Sequence, residues 1–228
     1  MKKVLLFSII GFFLFSGSAV AAEVSPIIKS ADIDVALESG KVNVTEHFTI
    51  SHAEAIKNGE LEHILTTSEN KTAKDLTITS SNKNLQFDKK EGKVLQKIQV
   101  KLPDGVKGQF DYEIKYHYVS EELTKIPLVI PAINAEGTGN GVTLKVDLPE
   151  GKYLHDSFPV IDSGDSGSVQ ERMMNVPNYL NLKVGSSPAG FFTTSNMYTI
   201  FGLVVIFGII VAWLLNERKS KVGGVANV

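Results

Sequence analysis

Apolar and polar positions alternate along much of the first half of the chain. Ile33, Val35 and Leu37 alternate with Asp32, Asp34 and Ala36. After Glu38-Ser39-Gly40-Lys41, a second run puts Val42, Val44, Glu46, Phe48 and Ile50 on one face and Lys41, Asn43, Thr45, His47 and Thr49 on the other. A period of two on both sides of a short polar turn predicts a β-hairpin with one buried face. Glu46 interrupts that apolar face, so its carboxyl must sit at a rim or be paired, because a lone buried carboxylate is costly.

The pattern continues. Leu61 to Thr66, Leu76 to Thr79 and Leu85 to Asp88 read as short strands, and Val94 to Leu102 as a longer one. Pro103-Asp104-Gly105 marks a turn. Phe110, Tyr112, Ile114, Tyr116 and Tyr118 then alternate with Asp111, Glu113, Lys115 and His117, an aromatic and β-branched set suited to a half-buried strand. This makes seven strands at spacings typical of a sandwich. Ser51-His52-Ala53-Glu54 has the form of a capping box, and Gly59 could close the short helix it predicts.

The second half is less regular. Ile126 to Ile133 (I-P-L-V-I-P-A-I) is apolar, but Pro127 and Pro131 exclude a central strand and predict an edge or a crossing segment. Val142, Leu144, Val146 and Leu148 predict another strand, and Tyr179 to Val184 a last one. Asp162 to Ser168 (D-S-G-D-S-G-S) reads as a loop, and Gly185 to Asn196 as a linker. Phe191 and Phe192 in that linker are expected near a lipid surface.

Two dense apolar blocks stand at the ends. Lys2 and Lys3, the run Val4 to Phe15, and small residues through Ala22 have the form of a secretory signal peptide cleaved after Ala21. Tyr198 to Leu215 is 18 residues without a charge. As a helix it covers about 27 Å, close to the hydrocarbon thickness of a bilayer. Tyr198 and Trp213 lie near its two ends, and Arg218, Lys219 and Lys221 follow, the side that stays cytoplasmic. The expected organisation is therefore a signal peptide at 1–21 and an extracytoplasmic β-sandwich region at 22–184, with a core sandwich at 22–119 and additional strands at 120–184. A juxtamembrane linker follows at 185–197, a transmembrane helix at 198–215 and a cytoplasmic tail at 216–228.

Charge and composition narrow the classes. The 228 residues carry 23 basic and 25 acidic side chains and no cysteine. Five of the basic residues and one acidic residue (Glu217) lie outside positions 23–196, leaving 18 against 24 there, a net of −6. No basic stripe marks a nucleic-acid binder, and an acidic domain is not drawn to anionic polymers by charge alone. Absence of cysteine removes disulfides, thiolate metal sites and cysteine nucleophiles together. An exported domain without cysteine is more typical of a bacterium.

The run S-G-K-V-N-V-T-E-H-F-T-I (Ser39 to Ile50) resembles the opening hairpin of uncharacterised bacterial predicted membrane proteins with an N-terminal immunoglobulin-like ectodomain. The resemblance implies an antiparallel immunoglobulin-like β-sandwich followed by a membrane anchor. It implies no catalytic residues.

Candidate chemistry is sparse. Gly164-Asp165-Ser166-Gly167 resembles the nucleophile loop of chymotrypsin-like serine proteases, which also needs a histidine base and a buried aspartate. His47, His52, His63 and His117 lie upstream, none in the sequence context such enzymes show, and the tetrapeptide sits in a run of turn formers. Gly137-Thr138-Gly139-Asn140-Gly141 has the look of a phosphate loop but leads into a strand rather than a helix. His47, His52 and His63 lack zinc spacing, Asp162 and Asp165 lack calcium-loop density, and Met173-Met174 reads as packing rather than copper handling. Asn43-Val44-Thr45 and Asn70-Lys71-Thr72 match a glycosylation acceptor and read as ordinary surface positions.

The sequence thus predicts a mainly β, single-pass membrane protein of the cell membrane, with its N-terminal region outside and its C-terminus cytoplasmic. It is expected to act as a binding or accessory module through a protein or cell-envelope partner. No catalytic, cofactor-binding or metal residues are assigned, and no cofactor. The alternative is an extracytoplasmic hydrolase with an unrecognised active site.

Overall fold

The computed structural model describes residues 24–66, 72–92, 94–119, 125–137, 141–161, 165–188, 190 and 194–223. The expected signal peptide, Asn70-Lys71, Gly164 and the Phe191-Phe192 pair lie outside the described residues. The described chain is mainly β with one long C-terminal helix.

The opening hairpin forms as the alternation requires. β1 (Ile27–Glu38) and β2 (Lys41–Ser51) pair antiparallel from Glu38↔Lys41 to Ile27↔Ser51. Gly40 takes φ +73°, the left-handed region the tight turn demands. Ten residues of β8 (Phe110–Val119) pair with β2 on its other side. β3 (Glu60–Thr66), β4 (Lys74–Ser80), β5 (Lys83–Asn84), β6 (Phe87–Lys90) and β7 (Leu95–Lys101) lie between the hairpin and β8. Of the expected strand at 85–88, Leu85 and Gln86 lie between β5 and β6, which belong to different sheets, and only Phe87 and Asp88 fall in a strand, β6.

The expected capped helix does not form. Ala53–Ala55 and Lys57–Gly59 are separate 3₁₀ turns, and His52 sits at φ 58° with no side-chain cap. The Glu54 carboxylate accepts instead from the Gly108 N–H at 2.6 Å, while Ala53 N–H donates to Gly108 O at 2.9 Å. A bond to a residue far along the chain thus replaces the local box.

Beyond β8, β9 (Lys125–Pro127) and β10 (Val129–Pro131) are three-residue strands, followed by β11 (Asn134–Ala135) and β12 (Val142–Asp147). β13 (Tyr153–Phe158), β14 (Ser168–Met173) and β15 (Tyr179–Gly185) complete the set, and α1 runs Thr194–Gly223.

Three sheets result. The first has the order β14-β12-β1-β2-β8-β4-β5, with β11 also beside β1. The second is β10-β3-β7-β6 and the third β13-β15-β9. Both prolines of the 126–133 segment fall where a missing N–H is tolerated, since β9 and β10 are edge strands of different sheets. The purely antiparallel sandwich expected from the sequence is corrected at one place. β1 pairs parallel with β11 and, over six residues from Ala31↔Val142 to Ala36↔Asp147, with β12. A parallel neighbour needs a long crossover, and the chain supplies one by passing through the second and third sheets before returning to β1.

One apolar core joins the three sheets. Ile33, Val44, Phe48, Tyr112, Ile114 and Leu144 come from the first, Leu61, Ile98 and Val100 from the second, and Ile126, Leu154, Leu180 and Leu182 from the third.

Candidate functional site

Register places Glu46 in a row that crosses the first sheet. Leu144 opposes Ile33, Ile33 opposes Glu46, Glu46 opposes Ile114, and Ile114 opposes Ile78. Glu46 is therefore central rather than at a rim, and it is 0% exposed. Its Oε1 accepts from the Tyr116 hydroxyl at 2.7 Å and from the Val129 N–H at 3.0 Å. Val129 N–H also reaches Tyr116 Oη at 3.2 Å, and Tyr118 donates to Pro127 O at 3.0 Å. Oε2 has no partner among the described residues.

These bonds fall on the segment that leaves the third sheet as β9 and enters the second as β10. Glu46, Tyr116 and Tyr118 of the first sheet thus hold the one stretch that joins the other two. The carboxyl substitutes for ladder partners that an edge segment with prolines lacks.

A second buried polar pair lies beside this one. His63, on β3 and 0% exposed, shares a 2.8 Å hydrogen bond between Nε2 and the Tyr112 hydroxyl, and the two rings meet edge to face. Its Nδ1 has no partner among the described residues. Burial raises the Glu46 carboxyl to about 8, against smaller lowering by Tyr116 and Val129 N–H. Burial lowers the His63 imidazole to about 4, and it raises the Tyr112, Tyr116 and Tyr118 hydroxyls, with the Glu46 charge adding to each. Both Glu46 and His63 are therefore predominantly neutral near pH 7. Groups so fully enclosed cannot touch a substrate, so this cluster acts on the fold.

The sequence motifs land elsewhere. In the Asp165-Ser166-Gly167 stretch, Asp165 O accepts from Leu154 N–H at 2.6 Å, Gly167 O accepts from Leu148 N–H at 2.8 Å, and exposed Ser166 bridges to Tyr153. Three upstream histidines have other partners: His52 lies 3.7 Å from Glu54, His117 lies 3.5 Å from Asp75, and His63 holds Tyr112. The stretch is a backbone-anchored turn leading into β14. Thr138, Gly139 and Asn140 of the glycine-rich run lie outside the described residues; Gly141, just before β12, accepts at its carbonyl O from Ala31 N–H at 2.9 Å. Asn43 donates to Glu38 at 2.9 Å within the hairpin. Among the described residues no three His, Asp or Glu side chains gather as a metal would require.

The surface carries a shallow groove of about 330 Å³, lined by Asp156, Ser157, Phe158, Asn181, Leu182 and Lys183 of β13 and β15. Sequence reasoning missed it because β13 buries only Leu154 and so shows no alternation.

At the far end of this ladder the chain leaves for α1. Lys152 Nζ donates to Ser186 Oγ at 2.9 Å, and His155 Nε2 meets Ser187 O at 2.7 Å. The His155 ring lies where a Cβ on residue 185 would be, so Gly185 is required for this contact. Asn196–Arg218 of α1, 23 residues with none buried against the domain, is long and apolar enough to cross a membrane. The helix encloses the expected span and extends beyond it at both ends.

No family model matches the chain, and no curated protein matches it. Among solved structures, native yeast LTA4 hydrolase aligns at TM-score 0.43 and 11% identity, covering 69% of this chain and 29% of that one. An M1 zinc metallopeptidase from Deinococcus radiodurans aligns at TM-score 0.39 and 14% identity, covering 71% and 42%. The match thus spans less than half the length of either structure.

Proposed function

We propose that this protein is a single-pass, membrane-anchored module whose β domain lies outside the cell and acts by binding, without catalysis. The observation that carries the reading is α1: an apolar helix of bilayer length that buries nothing against a domain with a closed core of its own. Basic residues Arg218, Lys219 and Lys221 after the span favour a cytoplasmic C-terminus. The immunoglobulin-like character of the sandwich and a bacterial envelope setting belong to the same proposal. Partners would meet its exposed sheet faces and edges.

Membrane fractionation tests the anchor. The full chain should stay in the pellet after alkaline carbonate extraction, and a chain truncated after residue 190 should be released. Release of the full chain would contradict the reading. A hydrolase reading built on Ser166 draws nothing from the loop, whose serine sits on an exposed turn.

A further inference from the structure

Residues directly opposite in an antiparallel ladder share a face. Leu180 and Leu182 point into the core, so Tyr179, Asn181 and Lys183 point outward. Register adds Phe158 opposite Asn181, Asp156 opposite Lys183, and Lys125 of β9 on the other flank of Asn181. The outer face of the third sheet thus holds an aromatic pair among polar groups, with the groove above it.

Three features give this face the chemistry of a site. First, Phe158 is 51% exposed and its neighbour Val160 57%, apolar surface that a sheet face ordinarily keeps small. Second, the platform is braced. The Phe158 and Tyr179 rings lie 5.2 Å apart at 30°, and Lys125 Nζ sits 4.5 Å from the Tyr179 centroid. Third, polar groups are open beside it. The side chains of Asn181 and Lys183 make no hydrogen bond or ion pair among the described residues, and Asp156 Oδ1 accepts only from the adjacent Ser157 N–H at 3.0 Å.

Asp156 and Lys183, the charged residues that line the groove, face one another across the ladder, so the formal charge of the lining sums to zero; Lys125 stands outside the lining, over the Tyr179 ring. A complementary occupant is neutral, has one apolar face, and carries hydroxyls around its edge. A pyranose ring has this form: its C–H face stacks on an aromatic ring and its equatorial hydroxyls meet amide, carboxylate and ammonium groups. The volume lies at the small end of ligand sites, which suits a ring or two of a chain that runs out over the outer edge of β13 at its Asp156–Phe158 end, beyond the Tyr153-Leu154 stretch that Asp165 and Ser166 pair. A peptide would be expected to add as a strand along that edge, a mode that leaves the Phe158 ring unused.

Resting on the binding-module reading above, we propose that this groove binds a neutral saccharide chain. Phe158 is the stacking platform, and Asn181, Asp156 and Lys183 bond the hydroxyls.

The test is titration calorimetry on the full chain in a zwitterionic detergent, since sugar-headed detergents would compete. Soluble oligomers of glucose, N-acetylglucosamine and mannose serve as probes, with polygalacturonate and a neutral hexapeptide as comparisons. At least one neutral oligosaccharide should bind. Phe158→Ala should weaken it by about tenfold or more and Asn181→Ala by about fivefold, with the unfolding temperature unchanged for Asn181→Ala and lowered only modestly for Phe158→Ala by loss of the Tyr179 ring contact. Phe158→Tyr keeps the ring and should keep the affinity, which separates lost stacking from lost folding. Val94→Ala, an exposed change elsewhere, should leave it intact. The proposal is overturned if none of the three oligosaccharides binds, if Phe158→Ala leaves affinity unaltered, or if only the peptide or the acidic polymer binds. A chain that fractionates with membranes yet binds no sugar defeats this proposal and spares the anchored-module reading.

Discussion

Glu46 stands between hydrocarbon neighbours, Ile33 and Ile114, in its cross-sheet row, and its energetics are opposite to those of His63. The folded Glu46 keeps its proton up to about 8, against 4.5 for the ordinary side chain, so the unfolded chain releases that proton first. The stability it contributes is complete below about 4.5 and is lost as pH rises through about 8. The folded His63 stays neutral down to about 4, against 6.5 ordinarily, so its contribution is complete above 6.5 and is lost as pH falls towards 4. Between 4.5 and 6.5 the two slopes oppose each other. Denaturant titrations should therefore give a plateau there and a decline on the alkaline side, with a limiting slope of roughly 1.4 kcal/mol per pH unit. Glu46→Gln should remove the alkaline decline. The variant should be less stable than the parent at pH 5, because its amide N–H groups replace an orphaned oxygen in the core, and the gap should narrow by pH 8. An unchanged alkaline slope in Glu46→Gln would show that another group causes it. Glu46 was legible in the sequence as a break in an apolar face. Its partners were not: Val129 N–H lies 83 residues away, and no local pattern announces it.

At the scale of elements, strands that bury a full face were readable, and those that do not were missed. β1, β2, β7, β8 and β12 alternate because one side packs on the core. β13 and β14 are edge strands with one buried residue each, Leu154 and Val169, so they leave no period in the sequence. The parallel pairing of β1 with β12 is a choice of partner rather than of local conformation, and alternation carries no information about it. Phe48, fully buried and stacked on Tyr112 at 5.4 Å, anchors the readable part. Phe48→Ala should cost about 3–5 kcal/mol in denaturant unfolding, and a cost under about 1 kcal/mol would mean that the hairpin does not carry the core. The exit from β15 gives a second test. Gly185→Ala pushes the His155 ring off Ser187, so amide exchange at 186–188 should rise. In a His155→Ala background the same substitution should add little, a non-additivity expected only for groups in contact. Equal effects in both backgrounds would place the role of Gly185 elsewhere.

At the scale of the molecule, a strand that carries the outer groove, β15, is also the last strand before α1. Only residues 186–193 separate β15 from α1, at most about 27 Å of extended chain. Lys152 and His155 take up the first two of these, which ties the start of the linker to the Tyr153–Gly185 end of the third sheet. The groove lies towards the other end of the same ladder, since Phe158 pairs with Asn181 while Tyr153 pairs with Gly185. The span itself was legible because an uncharged run of that length has few other uses, whereas the docking of Ser186 and Ser187 was not, being set by contacts across 34 and 32 residues. Ser166→Ala should leave stability and sugar binding unchanged, since Ser166 is exposed and remote in register from the groove; an altered unfolding midpoint would show that its hydroxyl is needed for the turn.

The central claim is the division of the chain by α1. Intact cells carrying an epitope at the C-terminus are treated with a non-specific protease and blotted. The account predicts that the β domain disappears while a short tagged fragment, the span and its tail, is protected until the membrane is breached. Survival of the whole domain on intact cells, with digestion only after lysis, would contradict it.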